Sequence, residues 1–81
     1  MEWFNVEHTL PDISEKKVRV VICLSSNKYG DKWCKNIGLY LKLEDDVNPM
    51  FYINGNPDKN VRYWTYFPED VPEYFKGEII Y

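Results

Sequence analysis

Hydrophobic and polar residues alternate along much of this chain with a period of two, which is typical of β-strands rather than helices. Residues 17–25 are rich in β-branched side chains and contain neither Gly nor Pro, so they predict a strand. One side of this strand carries Val18, Val20, Ile22 and Leu24, and the other carries Arg19, Val21, Cys23 and Ser25. Because the second side is mixed, we expect a central strand that is partly covered on both sides.

A second strand is predicted over residues 32–43, after the turn-forming residues 26–31. One of its sides is polar apart from Cys34 and Tyr40, and we expect this side to face water, as in an antiparallel sheet with one wet face. Gly38 in mid-strand indicates a bulge, a bend or a neighbour packed close to the backbone. The large apolar residues on the other side are expected to face the core, namely Trp33, Ile37, Leu39, Leu41 and Leu43.

Two further strands are predicted over residues 50–53 and 61–67. The loop between them contains an Asn-Gly turn pair, and Pro68 ends the last strand because proline has no N–H to donate. Both sides of the last strand are bulky, so we expect the core to cover one side and the N-terminal arm to cover the other.

The two ends of the chain are less regular. Residues 1–16 predict an irregular arm anchored by Trp3 and Leu10, with room for one helical turn over residues 5–9. Residues 72–77 predict a helical turn, with Pro at its start and Gly past its end, and residues 78–81 predict an edge strand or a contact with a partner chain.

The fold expected from these elements is mainly β, with one domain over residues 1–81. About four antiparallel strands form a single small sheet, as a meander or an SH3-like barrel. An N-terminal arm and at most one or two short helical turns complete it.

The charge of the chain bears on its partners and its location. The formal net charge is −3 and the basic residues are scattered, so we expect no binding to nucleic acid. No apolar run approaches the ~20 residues that cross a bilayer, so we expect no membrane contact. The first residues lack the features of a signal peptide, which predicts a cytoplasmic location.

The residues that usually carry catalysis or bind metals are sparse. Cys23 and Cys34 are expected to be reduced thiols on neighbouring strands, since cytosolic disulfides are rare, and a disulfide or redox pair is the alternative. His8 is the only histidine, and the acidic residues 44–46 lack the spacing of a calcium loop. We therefore expect a protein that is not an enzyme and has no metal or cofactor.

The aromatic residues, 17% of the chain, are its most informative feature. The tyrosines and Trp64 either form the core of a small domain or line a recognition surface together with nearby cations. Tyr, Trp and Arg dominate binding hot spots, and aromatic rings beside a cation suit a nucleotide-like ligand. The candidate binding residues are Tyr40, Lys42, Tyr52, Arg62, Trp64 and Tyr66.

Several short motifs in order along the chain resemble a known family. They are Trp3, Val6, Leu10-Pro11, Val18-Arg19-Val20, Ile37-Gly38-Leu39-Tyr40, Val61-Arg62-Tyr63-Trp64 and Phe67-Pro68. The chain is similar in these to a family of short phage- and prophage-encoded proteins grouped as a domain of unknown function. It departs from that family at Tyr63, where His is usual, and at Tyr66, where Pro is common. The resemblance implies a small sheet domain in a phage or bacterial setting and implies no catalytic residues.

Two hypotheses about function follow. The first is a non-enzymatic protein-interaction module of phage or prophage type, which binds a host or phage protein in the bacterial cytoplasm and inhibits a host protein such as a defence component. The alternative is an oligomeric protein that binds a small, nucleotide-like molecule. The second hypothesis needs a pocket, which we expect between subunits of a homo-oligomer because 81 residues leave little room inside one.

Overall fold

The computed structural model describes residues 2–27 and 29–71. Within them, six strands form one open antiparallel sheet and a short 3-10 turn follows the last strand. The strands are β1 (Phe4–Asn5), β2 (Val18–Ser26), β3 (Trp33–Leu41), β4 (Met50–Ile53), β5 (Asn56–Pro57) and β6 (Val61–Tyr66), and the turn spans Pro68–Asp70. The mainly-β prediction is confirmed. The sheet has six strands rather than about four because two strands of two residues, β1 and β5, form its edges.

The elements predicted over residues 72–77 and 78–81 lie outside the described residues.

The order of the strands across the sheet is β1-β6-β2-β3-β4-β5. The chain therefore runs β2 to β5 as a meander and then returns to place β6 on the other side of β2. Without the two-residue edge strand β5, the order β6-β2-β3-β4 is that of a Greek key. The connection at residues 58–60 leads from β5 back to β6, beside β2. In it, the Asp58 amide donates to the Phe51 carbonyl at 2.9 Å, and the Ser25 hydroxyl donates to the Asp58 carboxylate at 3.1 Å.

The turn between β4 and β5 confirms the Asn-Gly prediction. Asn54 and Gly55 both have positive φ, at 54° and 81°, and Ile53 pairs with Asn56 across them. Two central residues of this kind are the mark of a type I′ hairpin, which suits the twist of the flanking strands.

The two faces of the sheet, called the core face and the outer face, differ in the side chains that they hold. The core face holds the buried side chains of alternate positions, together with Val71 after the 3-10 turn: Val21, Cys23, Tyr40, Phe51, Val61, Trp64 and Tyr66. The outer face holds the other positions of the same strands. Its members are Val18, Val20, Ile22, Leu24, Trp33, Lys35, Ile37, Leu39, Leu41, Met50, Tyr52, Tyr63 and Thr65.

The expectation that the apolar side of β3 faces the core is wrong. Trp33, Ile37 and Leu39 are exposed on the outer face, Leu41 is half-buried, and Leu43, which follows the strand, is also exposed. The core lies instead on the side that the sequence pattern assigns to water.

Gly38 and Tyr40 explain why the polar side of β3 is the buried one. A Cβ at Gly38 would lie 3.0 Å from the Tyr52 carbonyl oxygen and 3.2 Å from the Cys23 sulfur, which confirms the close neighbour predicted at this glycine. The Tyr40 ring then packs on Phe51 with 4.7 Å between ring centroids. The absent side chain at position 38 lets the core close over this side of the strand.

The arm before β2 covers part of the core face and supplies backbone groups for its rings. The Trp64 indole N–H donates to the Thr9 carbonyl at 2.7 Å, and the Asp12 amide donates to the Tyr66 hydroxyl at 2.9 Å. Buried polar atoms of this kind need such partners, because an unpaired one costs about 1–3 kcal/mol.

The details of the arm differ partly from the prediction. The turn over residues 5–9 is confirmed, since the Thr9 amide donates to the Asn5 carbonyl at 2.9 Å. Leu10 is not an anchor, because 52% of it is exposed; Val6 and Ile13 pack against the core instead. Trp3 is half-buried.

A β-bulge in β6 changes which of its residues lie on the core face. Leu24 pairs with Tyr63 and Ser25 pairs with Val61, so Arg62 is the extra residue between two regular pairs. Val61 therefore joins Trp64 and Tyr66 on the core face, whereas strict alternation would place it opposite them.

Asp70 fastens the 3-10 turn to the start of β2. Its carboxylate is buried, accepts from the Val20 amide at 2.5 Å and pairs with Lys16. Arg19, also buried, donates to the carbonyls of Asp12 and Asp70. These contacts hold both the arm and the 3-10 turn against β2.

Candidate functional site

The exposed part of the outer face is a stripe that follows β3. We define the stripe as Val18, Trp33, Ile37, Leu39 and Tyr63. Their exposed fractions are 38%, 49%, 61%, 41% and 37%. Single exposed apolar residues are normal, but a contiguous patch of them marks an interaction surface.

The pairing register of the strands makes the stripe contiguous. Ile37 pairs with Ile22, and Leu39 lies between Val20 on one side and Tyr52 on the other. Trp33 and Tyr63 lie on the two strands that flank β2, and their ring centroids are 6.0 Å apart at an angle of 42°. The half-buried Val20, Ile22 and Leu24 of β2 fill the space between these residues.

A cleft of about 420 Å³ opens at the Trp33 end of the stripe. Two aromatic rings, one cation and one carboxylate contribute to its walls, at Trp33, Tyr63, Arg62 and Glu7. The cleft is also lined by Asn5, Val6, Ser26 and Gly30. The bulge at Arg62 explains why a cation lies here, because the extra residue is outside the regular alternation of β6.

Three of the six residues predicted to bind a partner are core residues in this structure. Tyr40, Trp64 and Tyr66 are exposed by only 3%, 0% and 2%. Burial raises the pKa of both tyrosines above its usual value, and the hydroxyl of Tyr66 is already bonded to the arm. Their rings support the sheet and do not line the surface described above, so the prediction for these three residues is corrected.

The other three predicted residues are not brought together. Tyr52 is half-buried, and its hydroxyl donates to the Asp46 carboxylate at 2.6 Å. That hydrogen bond lowers the pKa of Asp46 and raises the pKa of Tyr52. Lys42 is exposed beyond the end of β3, and Arg62 is exposed in the cleft at the other end of the sheet. Arg62 adjoins the stripe at the cleft, and Tyr52 adjoins it beside Leu39.

None of the five residues of the stripe was among the candidate binding residues, and the pattern assigned four of them to structure. Val18, Trp33, Ile37 and Leu39 belong to apolar sides of predicted strands, which normally face a core. The feature that could have found them is the mixed side of β2, where Val21 and Cys23 accompany Arg19. A small sheet with apolar residues on both sides has more apolar surface than one core covers.

The two cysteines are free thiols in different surroundings. Burial, with a smaller contribution from the Asp58 carboxylate, raises the pKa of Cys23 to about 12, so its thiol is protonated and unreactive. Cys34 is exposed in a polar cleft of about 360 Å³ that also contains Ser25 and Asp58. The Ser25 hydroxyl donates to Asp58, and this bond ties the β4–β6 connection to β2.

Residues 2–27 and 29–71 contain no group of three His, Cys, Asp or Glu side chains placed to hold a metal ion. They also contain no helix that is both long and apolar enough to cross a membrane.

Comparisons with known proteins add no relative to this description. No family model matches the chain, and neither the curated proteins nor the solved structures include a match to it.

Proposed function

We propose that this chain is a non-enzymatic protein-interaction module that binds its partner through the stripe on the outer face. The observation that supports this is the exposure of five large apolar side chains on one side of a regular sheet. Their strands are fixed by pairing on both sides, so the surface is rigid before a partner arrives. A rigid apolar surface loses little conformational entropy when it binds.

In the phage setting that the sequence resemblance implies, the partner is a host or phage protein in the bacterial cytoplasm. Inhibition then follows from occlusion, because a chain without a catalytic group acts by covering a surface of its target. A host defence component is the target class that we propose.

A photo-crosslinking amino acid at position 37 tests this proposal in cells that express the full chain. Position 37 is the most exposed part of the stripe, at 61%. The matched control is the same amino acid at position 10, which is 52% exposed but lies in the arm. We expect a discrete crosslinked protein from position 37 only. Equal and diffuse crosslinking from both positions would overturn the proposal.

A second candidate function, an oligomeric protein that binds a nucleotide-like small molecule, is favoured by the cleft. Trp33 and Tyr63 offer rings for stacking, and Arg62 offers a cation for phosphate. Titration calorimetry with nucleoside mono-, di- and triphosphates tests it. Saturable binding that Arg62→Ala and Trp33→Ala both abolish would support this function, and unchanged binding in Lys59→Ala is the expected control.

A further inference from the structure

The charges at the two ends of β3 have opposite signs. Residues 28–35, at its start, contain three lysines and one aspartate, a formal charge of +2. Residues 42–46, just past its end, contain three carboxylates and one lysine, a formal charge of −2. Lys32, Lys35, Glu44 and Asp45 are all exposed. Ile37 and Leu39 lie between these ends, whereas Trp33 lies within the basic segment. The surface is therefore apolar at Ile37 and Leu39 and oppositely charged towards its two ends.

This arrangement is self-complementary under a two-fold rotation. In a two-fold interface the same patch serves both partners, so a contact between one position and another occurs twice. If β3 of one copy lies antiparallel to β3 of the other, each basic end meets an acidic end. A parallel arrangement would bring like charges together at both ends and is disfavoured.

The area of the stripe also suits a dimer. A large side chain has roughly 200 Å² of surface. The exposed fractions of the five stripe residues therefore correspond to about 450 Å² of exposed area per copy. A face-to-face dimer buries this area twice, and the half-buried Val20, Ile22, Leu24 and Leu41 add to it. The sum reaches the ~1,000 Å² at which specific interfaces begin. Two sheets packed face to face are also a common architecture, with about 10 Å between them.

We propose that the partner of the stripe is a second copy of this chain, bound as a two-fold dimer with β3 antiparallel to β3 across the interface. This inference rests on the proposed function, because it takes the stripe as a binding surface, and it goes beyond it: the second copy covers the stripe in the free protein, and a host protein that binds there must displace that copy. Ile37 and Leu39 lie near the axis, and the lysines of one copy face the acidic turn of the other.

Sedimentation equilibrium of the full chain is the first test, with one variant in the stripe and one outside it. Ile37→Ser removes the most exposed side chain of the stripe, and we expect the dissociation constant to rise about tenfold to a hundredfold. Leu10→Ser removes a similarly exposed side chain in the arm and should leave the dissociation constant unchanged. Circular dichroism checks that both variants fold. Equal effects of the two substitutions would overturn the inference.

Charge reversal tests the antiparallel orientation without altering the apolar surface. The pair Lys32→Glu and Lys35→Glu makes both ends acidic, and the pair Glu44→Lys and Asp45→Lys makes both ends basic. Each pair alone should weaken the dimer at least tenfold. All four substitutions together should restore it, and a mixture of the two paired variants should form a heterodimer. Failure of both restorations would overturn the antiparallel dimer.

The crosslink from position 37 separates the inference from the proposed function. A crosslink between two copies, which isotope-labelled and unlabelled chains reveal when mixed, supports the dimer, and a crosslink from position 37 to a host protein in cells supports the proposed function. A crosslink to a different protein from a chain that sediments as a monomer overturns the dimer and leaves the proposed function standing. A crosslink within one chain, to residues 72–81, or no specific crosslink at all, overturns both.

Discussion

On the core face of the sheet, two of the buried aromatic rings end in polar atoms that bond to the arm, whereas on the outer face the exposed side chains are largely hydrocarbon. Trp64 and Tyr66 illustrate the first kind, each with a hydrogen bond to the backbone of residues 9–12. Ile37 and Leu39 illustrate the second. The comparison teaches that hydrophobicity alone does not decide which face a small sheet buries. The buried face is the one on which Trp64 and Tyr66 find partners for their polar atoms in the arm.

The largest expected difference in stability is between a variant of Trp64, on the core face, and a variant of Trp33, on the outer face. Trp64→Ala removes a fully buried ring and should lower the free energy of unfolding by about 3–5 kcal/mol. Trp33→Ala removes a ring that is 49% exposed and should cost about 1 kcal/mol or less. Urea unfolding at low protein concentration measures both. A larger loss for Trp33 than for Trp64 would contradict the assignment of the faces.

Loss of the buried Asp70 carboxylate should lower the free energy of unfolding nearly as much as loss of the Trp64 ring. Asp70→Ala leaves the Val20 amide without its acceptor and should cost about 2–3 kcal/mol. Its ion-pair partner Lys16 has a side chain that is 55% exposed, so Lys16→Ala should cost less than ~1 kcal/mol. Thermal or urea unfolding of the two variants separates the hydrogen bond to β2 from the ion pair. Similar losses in both would mean that the pair, not the amide bond, holds the 3-10 turn.

An added methyl group should be tolerated on one face only. Gly38→Ala places a Cβ against the Tyr52 carbonyl oxygen on the core side and should cost about 1–3 kcal/mol. Val18→Ile adds one carbon to an outer-face residue that is 38% exposed, and should change stability by less than ~0.5 kcal/mol. The two urea midpoints are the measurement, and a neutral Gly38→Ala would show that the core side has spare room.

The smallest expected effect is a pH dependence at Tyr52, an outer-face residue that has a hydrogen bond. The bond to Tyr52 lowers the pKa of Asp46 below its ordinary 3.8, so its contribution is present above that pH and is lost as pH falls through the lowered pKa. The same bond raises the pKa of Tyr52 above its ordinary 10.0, so the contribution is lost again as pH rises through the raised pKa.

Tyr52→Phe tests this window. The difference in unfolding free energy between the original chain and the variant should be largest near neutral pH and should shrink at both extremes. A difference that stays constant from acid to alkaline pH would show that the ring, rather than the hydroxyl, is responsible.

The sequence predicts the positions of the strands better than it predicts which side of each strand faces the core. The alternation over residues 17–25 and 32–43 locates β2 and β3, and the Asn54-Gly55 pair identifies a hairpin turn. The facing of β3 was wrong because its more polar side carries Gly38 and Tyr40, which pack closely against neighbouring strands. Deciding between them requires knowing that Gly38 lies against Tyr52 and Cys23 and that the arm bonds to Trp64 and Tyr66. These contacts join residues far apart in the chain and have no local pattern.

Prediction of the candidate site from the sequence was limited in the same way. Arg62 was identified from residue type and lies in the cleft, whereas Tyr40, Trp64 and Tyr66 were identified from the same preference for aromatic residues and are buried. Residue type indicates what a side chain can do once it reaches a surface. Which rings reach the surface depends on the register and on the bulge in β6, and the sequence marks that bulge by no Gly or Pro.

The edges of the described sheet limit how this protein can assemble. β1 and β5 are only two residues long, and Pro57 in β5 has no amide hydrogen to offer a further strand. Neither edge is therefore a template on which chains could add one after another into a fibril. In the dimer that we propose, association through the stripe covers the exposed apolar surface of both copies at once. A chain built in this way can expose a hydrophobic surface and still form a complex of fixed size.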